Sequence, residues 1–212
     1  MHKQPQFKMT FILVFAAVTA YTASSKAFVE IKANYGGLAT KDFISATCGS
    51  ACTGVPPANV PLVGISADLI ISPPLTAYGF GIRYEKLNIS GTLAAVEATA
   101  QIERIAALVN YRFIDTILKI GPVFTVGISN QTQFKVIESG TTKANYTSTT
   151  SDSASAGLEI GIKPLIILPL ILGVETGYQY LNIKNAIDSV GGSSKNIDLS
   201  GLYLKAYLGL SF

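Results

Sequence analysis

The sequence predicts an all-β protein, an eight-stranded antiparallel up-and-down transmembrane β-barrel. Three observations carry this. Segment after segment alternates apolar with polar or small residues at period two, the mark of a strand with two unlike faces. The apolar face is almost free of charge, while the other face carries mid-strand ions interleaved with glycines. Short turns alternate with longer polar connections, the rhythm of an up-and-down barrel. Composition agrees. Apolar residues make up 49% of the chain and charged residues only 14%, against roughly 25% charged in an ordinary soluble protein.

The chain opens MHKQPQFKMTFILVFAAVTAYTASSKA. Lys3 and Lys8 precede an apolar stretch from Met9 to Ala20, and Ser25-Lys26-Ala27 fits a small-x-small cleavage site. We therefore expect a cleaved signal peptide over residues 1–27 and a barrel over 28–212. The apolar stretch is shorter than the roughly 20 residues a spanning helix needs. The most apolar internal run, Pro164 to Val174, is interrupted by Pro169 and reads as a strand–turn–strand corner.

The first predicted strand sets Val29, Ile31, Ala33 and Tyr35 against Glu30, Lys32 and Asn34. A loop from Ala39 to Asn59 follows. In the second strand Val63, Ile65, Ala67, Leu69 and Ile71 oppose Gly64, Ser66 and Asp68, and Ser72-Pro73-Pro74 stops it. In the third, Tyr78, Phe80, Ile82 and Tyr84 oppose Arg83 and Glu85, with a connection expected around Ser90-Gly91. The fourth places Ile105, Ala107, Val109 and Tyr111 against Arg104 and Arg112. After a turn at Asp115-Thr116, Leu118, Ile120, Phe124, Val126 and Ile128 oppose Lys119, Thr125 and Ser129. A polar stretch near Asn130–Ser155 reads as a loop whose QFKVI segment prolongs the hairpin. The sixth strand holds Glu159 and Lys163, the seventh Glu175, and a second polar loop near Asn182–Asn196 precedes the last strand with Lys205.

Alternation alone does not say which face is inside. Strand glycines are weak unless something packs closely against them. In a narrow barrel they make room for Arg, Lys and Tyr side chains. Tyrosines and phenylalanines near the ends of the apolar strand faces match aromatic girdles at two lipid–water interfaces. The reading is lipid outside and an interior charge network of Glu30, Lys32, Asp68, Arg83, Glu85, Arg104, Arg112, Lys119, Glu159, Lys163, Glu175 and Lys205. Such ions must pair, because an unpaired buried charge is costly.

Little else carries chemistry. Cys48 and Cys52, in CGSAC, are a disulfide candidate in an exported chain. A metal site has neither histidine nor a second cysteine pair to draw on, so no metal and no cofactor are expected. A net charge of +3 without a basic–aromatic surface gives no reason to expect nucleic acid. The sole histidine is His2, so the mature chain holds none.

The final alternating strand ends in Tyr207, Gly209, Leu210 and Phe212. This resembles the C-terminal signal by which bacterial outer-membrane proteins are recognised by the barrel assembly machinery, although Leu210 stands where an aromatic is usual. In size and layout, residues 28–212 resemble the small outer-membrane barrels of the OmpA transmembrane domain, OmpX and opacity-protein family. The resemblance implies a monomer in the outer membrane of a Gram-negative cell, partnered by outer-membrane lipid and, during biogenesis, by the assembly machinery. It implies a structural or adhesin-like role as a surface antigen, engaging an extracellular ligand or host surface through loops. A porin-like narrow conduit for small solutes or ions is the alternative. Lipid A-modifying barrels of similar size rely on a catalytic histidine beside a serine, so an enzyme is not expected.

Overall fold

The computed structural model describes residues 29–40, 61–73, 76–93, 96–164, 169–190, 192 and 194–212. The expected signal peptide and the Cys48/Cys52 pair lie outside the described residues. The elements are β1 (Val29–Thr40), β2 (Pro61–Ile71), β3 (Tyr78–Leu93), β4 (Val96–Tyr111), β5 (Ile114–Asp115), β6 (Leu118–Glu138), β7 (Thr141–Ser148), β8 (Ser151–Ile162), β9 (Leu170–Asp188), β10 (Ser194–Asp198) and β11 (Gly201–Ser211).

These segments make eight staves. β5 prolongs β4 along β6. β7 and β8 both run antiparallel to β6 and β9, end to end, with a break at Thr149–Thr150. β10 and β11 both pair with β9, with a break at Leu199–Ser200. Around the ring the order is β1, β2, β3, β4, β6, β8, β9, β11, and β11 pairs with β1 from Glu30↔Ser211 to Thr40↔Gly201. The sheet therefore closes through the belt, while above it, among the described residues, β10 pairs only with β9 and the top of β3 beyond Asn88 only with β4. At the seam the Val29 N–H donates to the Phe212 carbonyl (3.1 Å) and the Phe212 N–H to the Val29 carbonyl (2.8 Å).

One end of the barrel, the near end, holds residues 29 and 212 and the connections after β2, β5 and β8. Above it the outer wall is an apolar belt. Ile31, Ile82, Phe124, Val126, Val174 and Leu204 all point outward and are exposed. Aromatics bound the belt. Tyr78, Phe80, Tyr111 and Phe113 form a cluster near the lower rim, with ring centroids 4.9 Å apart for Tyr78–Tyr111 and 5.1 Å for Tyr111–Phe113. Tyr35, Tyr84, Tyr178 and Tyr180 are exposed further up. Such rings suit the two interfaces of a bilayer.

The staves continue past the belt. β3 and β4 pair without interruption to Leu93↔Val96, through the segment expected to be a connection at Ser90-Gly91. The stretch expected as a loop at Asn130–Ser155 is mostly β6, β7 and β8, turned only at Ser139-Gly140. Both turn residues have positive φ, 49° and 77°, the backbone of a two-residue hairpin whose twist matches that of the strands. The second polar loop is likewise mostly β9 and β10. These polar strands read as loop in the sequence because their outer face meets water instead of lipid.

One face assignment is overturned. The β4–β6 register shifts between Ile105 and Ala106, where Ile105 pairs with Ser129 and Ala106 with Gly127. The bulge absorbs Ile128 and flips the parity of β6 above it. Ser129, expected inside, is exposed, and Asn130, Thr132, Phe134 and Val136 turn inward.

Candidate functional site

The lumen is organised in layers along the barrel axis. The lowest is an ionic cluster. Lys119 of β6 reaches across to Glu30 of β1 (2.7 Å) and to Glu159 of β8 (2.8 Å). Glu159 also holds Lys32 and accepts a hydrogen bond from the Tyr207 hydroxyl (3.1 Å). Arg112 contacts Glu30 (2.9 Å) and Asp115 (3.2 Å). Lys163 meets Asp115 (2.6 Å) and is partly open at the near rim, so it closes the cluster from below. The sequence places Asp115 in a turn; its ionic role becomes visible only because β5 folds back along β6.

Above this, Arg83 is gripped on two sides. Its Nε and Nη2 donate to Asp68 (2.7 and 2.8 Å), and its Nη1 and Nη2 to Glu175 (2.8 and 2.6 Å). Arginine's planar fork suits such bidentate pairing. Glu85 is held by Arg104 (2.9 Å) and by Lys205. All of these except Lys163 are buried, six carboxylates and six cations among the described residues. Several pairs join opposite walls. β3 faces β9 and β1 faces β6 across the ring, so Arg83–Glu175 and Lys119–Glu30 span the lumen.

Glycines create the space. A Cβ on Gly157 would overlap the Tyr203 hydroxyl, and one on Gly161 or Gly173 would overlap Tyr207. The glycines of β8 and β9 thus form the bed on which the β11 tyrosines lie, consistent with packing over bare backbone. Of the terminal residues singled out in the sequence, Tyr207 and Gly209 face inward, whereas Leu210 and Phe212 face out.

A neutral polar layer follows, in which Thr125 and Ser155 share a hydrogen bond (2.6 Å) and Ser153 donates to Asn130 (3.3 Å). The far end is then filled by an apolar core that sequence reasoning missed. Leu38, Leu62, Leu87, Ile102, Phe134, Leu181, Ile183, Ile197 and Leu199 are each no more than 3% exposed and pack together. A smaller apolar cluster of Ile70, Leu108 and Val123 sits low in the lumen, so the interior is not uniformly polar. Outside the far core the surface is polar: Lys86 pairs with Glu103 (2.8 Å), and Lys184 with Asp152. The Asp152 contact raises the Lys184 pKa, while partial burial lowers that of Lys195, whose ammonium sits 4.5 Å from the Tyr146 ring centre.

No protein-family model matches the chain, and neither does any curated protein. Solved structures do. Ail, the attachment invasion locus protein of Yersinia pestis, superposes with a TM-score of 0.54 at 11% identity, over 87% of this chain and 99% of Ail. A major outer membrane protein from Thermus thermophilus gives 0.54 at 10% identity, over 87% and 99%. A second structure of Ail, in complex with the heparin analogue sucrose octasulfate, gives 0.51 at 10% identity with the same coverage. The chain has the fold of the small outer-membrane β-barrel proteins.

Proposed function

We propose that the protein is a closed outer-membrane barrel whose far end projects from the cell as a rigid surface-contact device. The observation that carries this reading is the pair of seals in series, lumen-crossing ion pairs below and a packed apolar core above. A path for ions would have to break both. Breaking the first exposes charges whose partners remain buried, at a cost of about 3–5 kcal/mol each. A conduit is therefore not favoured. An enzyme is not favoured either, since the buried interior carboxylates of the ladder are held by cations rather than arranged around a substrate.

Projection suits adhesion. A β extension with its own core presents the Ser139-Gly140 tip at a fixed position, so binding spends little entropy on ordering it. The complexed Ail structure bears a sulfated sugar; on this chain Lys86 and Lys184 of the described far surface are engaged by Glu103 and Asp152, and we do not favour a polyanion at those two positions.

The test has two arms. In planar bilayers the purified protein should give no stable, reproducible channels; reproducible channels would sink the closed-barrel reading. Cells displaying the protein should adhere to a host surface, and replacing Ser139-Gly140 and Ser189-Val190 with other turn sequences should reduce that adhesion. Equal adhesion with and without the native tips would remove the contact role.

A further inference from the structure

The outer wall has a cleft immediately above the lipid-facing belt. β6 pairs with β8 up to Val126↔Ala154 and with β7 only from Thr132↔Ser148. Between these points Gly127–Gln131 and Thr149–Ser153 face one another without ladder pairing. On the other side β9 pairs with β8 up to Ile183↔Ser151 and with β7 again at Ile187↔Thr147. The break between β7 and β8 thus opens the wall toward β6, while the β9 flank is held across it by the Lys184 N–H donating to the Thr150 carbonyl (2.9 Å) and the Ser148 hydroxyl donating to the Lys184 carbonyl (2.7 Å). A cavity of about 640 Å³ occupies the spot, within the size range of small-ligand sites.

Its chemistry is specific. Side-chain amides come from Gln101, Gln131, Gln133 and Asn185, hydroxyls from Thr147 and Thr149. Among the described residues the lining contains no Lys or Arg, and its one carboxylate, Glu103, is already engaged by Lys86 and Gln101. Ile187, 58% exposed, supplies an apolar patch at the edge. Neutral donors and acceptors around one aliphatic contact fit a neutral sugar, whose hydroxyls both donate and accept and whose C–H face is apolar. A phosphate or sulfate would find no charge partner here.

Height selects the source. On β4 the last outward apolar residue is Ile105 and the next outward residue is Glu103; on β6 Ile128 is followed across the bulge by exposed Ser129 and Gln131. The cleft therefore opens in the headgroup layer, on the side of the barrel and not at its tip. We propose that it binds the neutral sugar headgroup of a glycolipid in the surrounding leaflet, with the acyl chains lying on the belt below. The proposal rests on the belt lying in lipid, a condition met in every arm of the test by incorporation into nanodiscs.

The experiment uses the protein in phosphatidylcholine nanodiscs carrying a minor fraction of a digalactosyl diacylglycerol or, as control, of phosphatidylglycerol. The side-chain amide resonances of Gln131 and Gln133 are followed by NMR. The galactolipid should shift them saturably and phosphatidylglycerol should not. In the Gln131→Ala/Gln133→Ala double variant, monitored at Asn185, affinity should fall about tenfold, as expected for two lost neutral hydrogen bonds. Free digalactose in the same discs should bind far more weakly than the lipid. Absent or non-saturable shifts, equal shifts with phosphatidylglycerol, or an unweakened double variant would overturn the site; equal affinity for the free sugar would overturn the glycolipid source.

Discussion

The belt and the extension are made by the same staves, yet their polarity is opposite. In β4 the outward residues run Glu97, Thr99, Gln101, Glu103 and then Ile105, Ala107, Val109, Tyr111. The inward residues run Ala100 and Ile102, apolar, and then Arg104, Ala106, Leu108 and Asn110, where polar groups enter among small and apolar ones. The outward switch falls at one point on the strand. What changes there is the solvent outside. Beside lipid the wall must be apolar, and the remaining polar residues turn inward and pair. Beside water the wall is polar and the hydrophobic effect fills the inside. The protein is a membrane barrel joined to a β extension whose polarity is turned the other way.

The strongest way to break this comparison is to remove one ion from the belt's interior. Arg83→Ala leaves Asp68 and Glu175 buried without their partner and should cost about 3–5 kcal/mol in urea unfolding from detergent. Restoring neutrality with Arg83→Met, Asp68→Asn and Glu175→Gln together should recover most of it. A triple variant as unstable as the single one would mean that the layer is held by shape and not by charge balance.

The matching change in the extension is a cavity. Ile102→Ala should cost about 2–5 kcal/mol. Its signature is local: amide exchange should quicken in β7, β10 and the tops of β3 and β4, while the belt stays protected. Uniform loss of protection would show that the two regions unfold as one.

Arginine on the outer wall sharpens the boundary. Val126→Arg, in the belt, should cost about 2–4 kcal/mol if it lies near the bilayer midplane. Gln133→Arg, on the same strand above the bulge, should stay within about 0.5 kcal/mol. Comparable losses at both would erase the boundary.

Phe212 gives the smallest effect in vitro. The residue is 61% exposed on the outer wall of the rim. We expect Phe212→Ser to refold in detergent nearly as the parent does but to accumulate poorly in the outer membrane of cells, because the assembly role implied by the resemblance is read from the unfolded chain. Normal accumulation would count against that role.

Much of the belt is legible in the sequence because two constraints act on each strand there. Lipid excludes charge from one face, and a narrow lumen demands paired ions and glycines on the other. The parity of Lys32, Arg83, Glu159 and Lys205 therefore shows directly which way they point. Their partners are not legible, since pairs such as Lys119–Glu30 join residues far apart in sequence across the ring. Asp115 is hidden because it sits in a turn. The extension escapes for a different reason. Its outer face reads as loop, with Ser, Thr, Gln and Lys, and its inner face is carried by single apolar residues such as Ile102 and Phe134, whose contacts lie on other staves. The bulge at Ile128 further breaks the period-two pattern of β6.

The most direct test of the inversion leaves the sequence untouched. In nanodiscs, paramagnetic agents are added to lipid or to water, and relaxation is read at native groups. The Val126 and Ile128 methyls should be relaxed by the lipid-borne agent, the Gln133 side-chain amide by the aqueous one, and the Ile102 and Ile183 methyls by neither. Relaxation of Gln133 from the lipid side, or of Ile102 and Ile183 from water, would contradict the account.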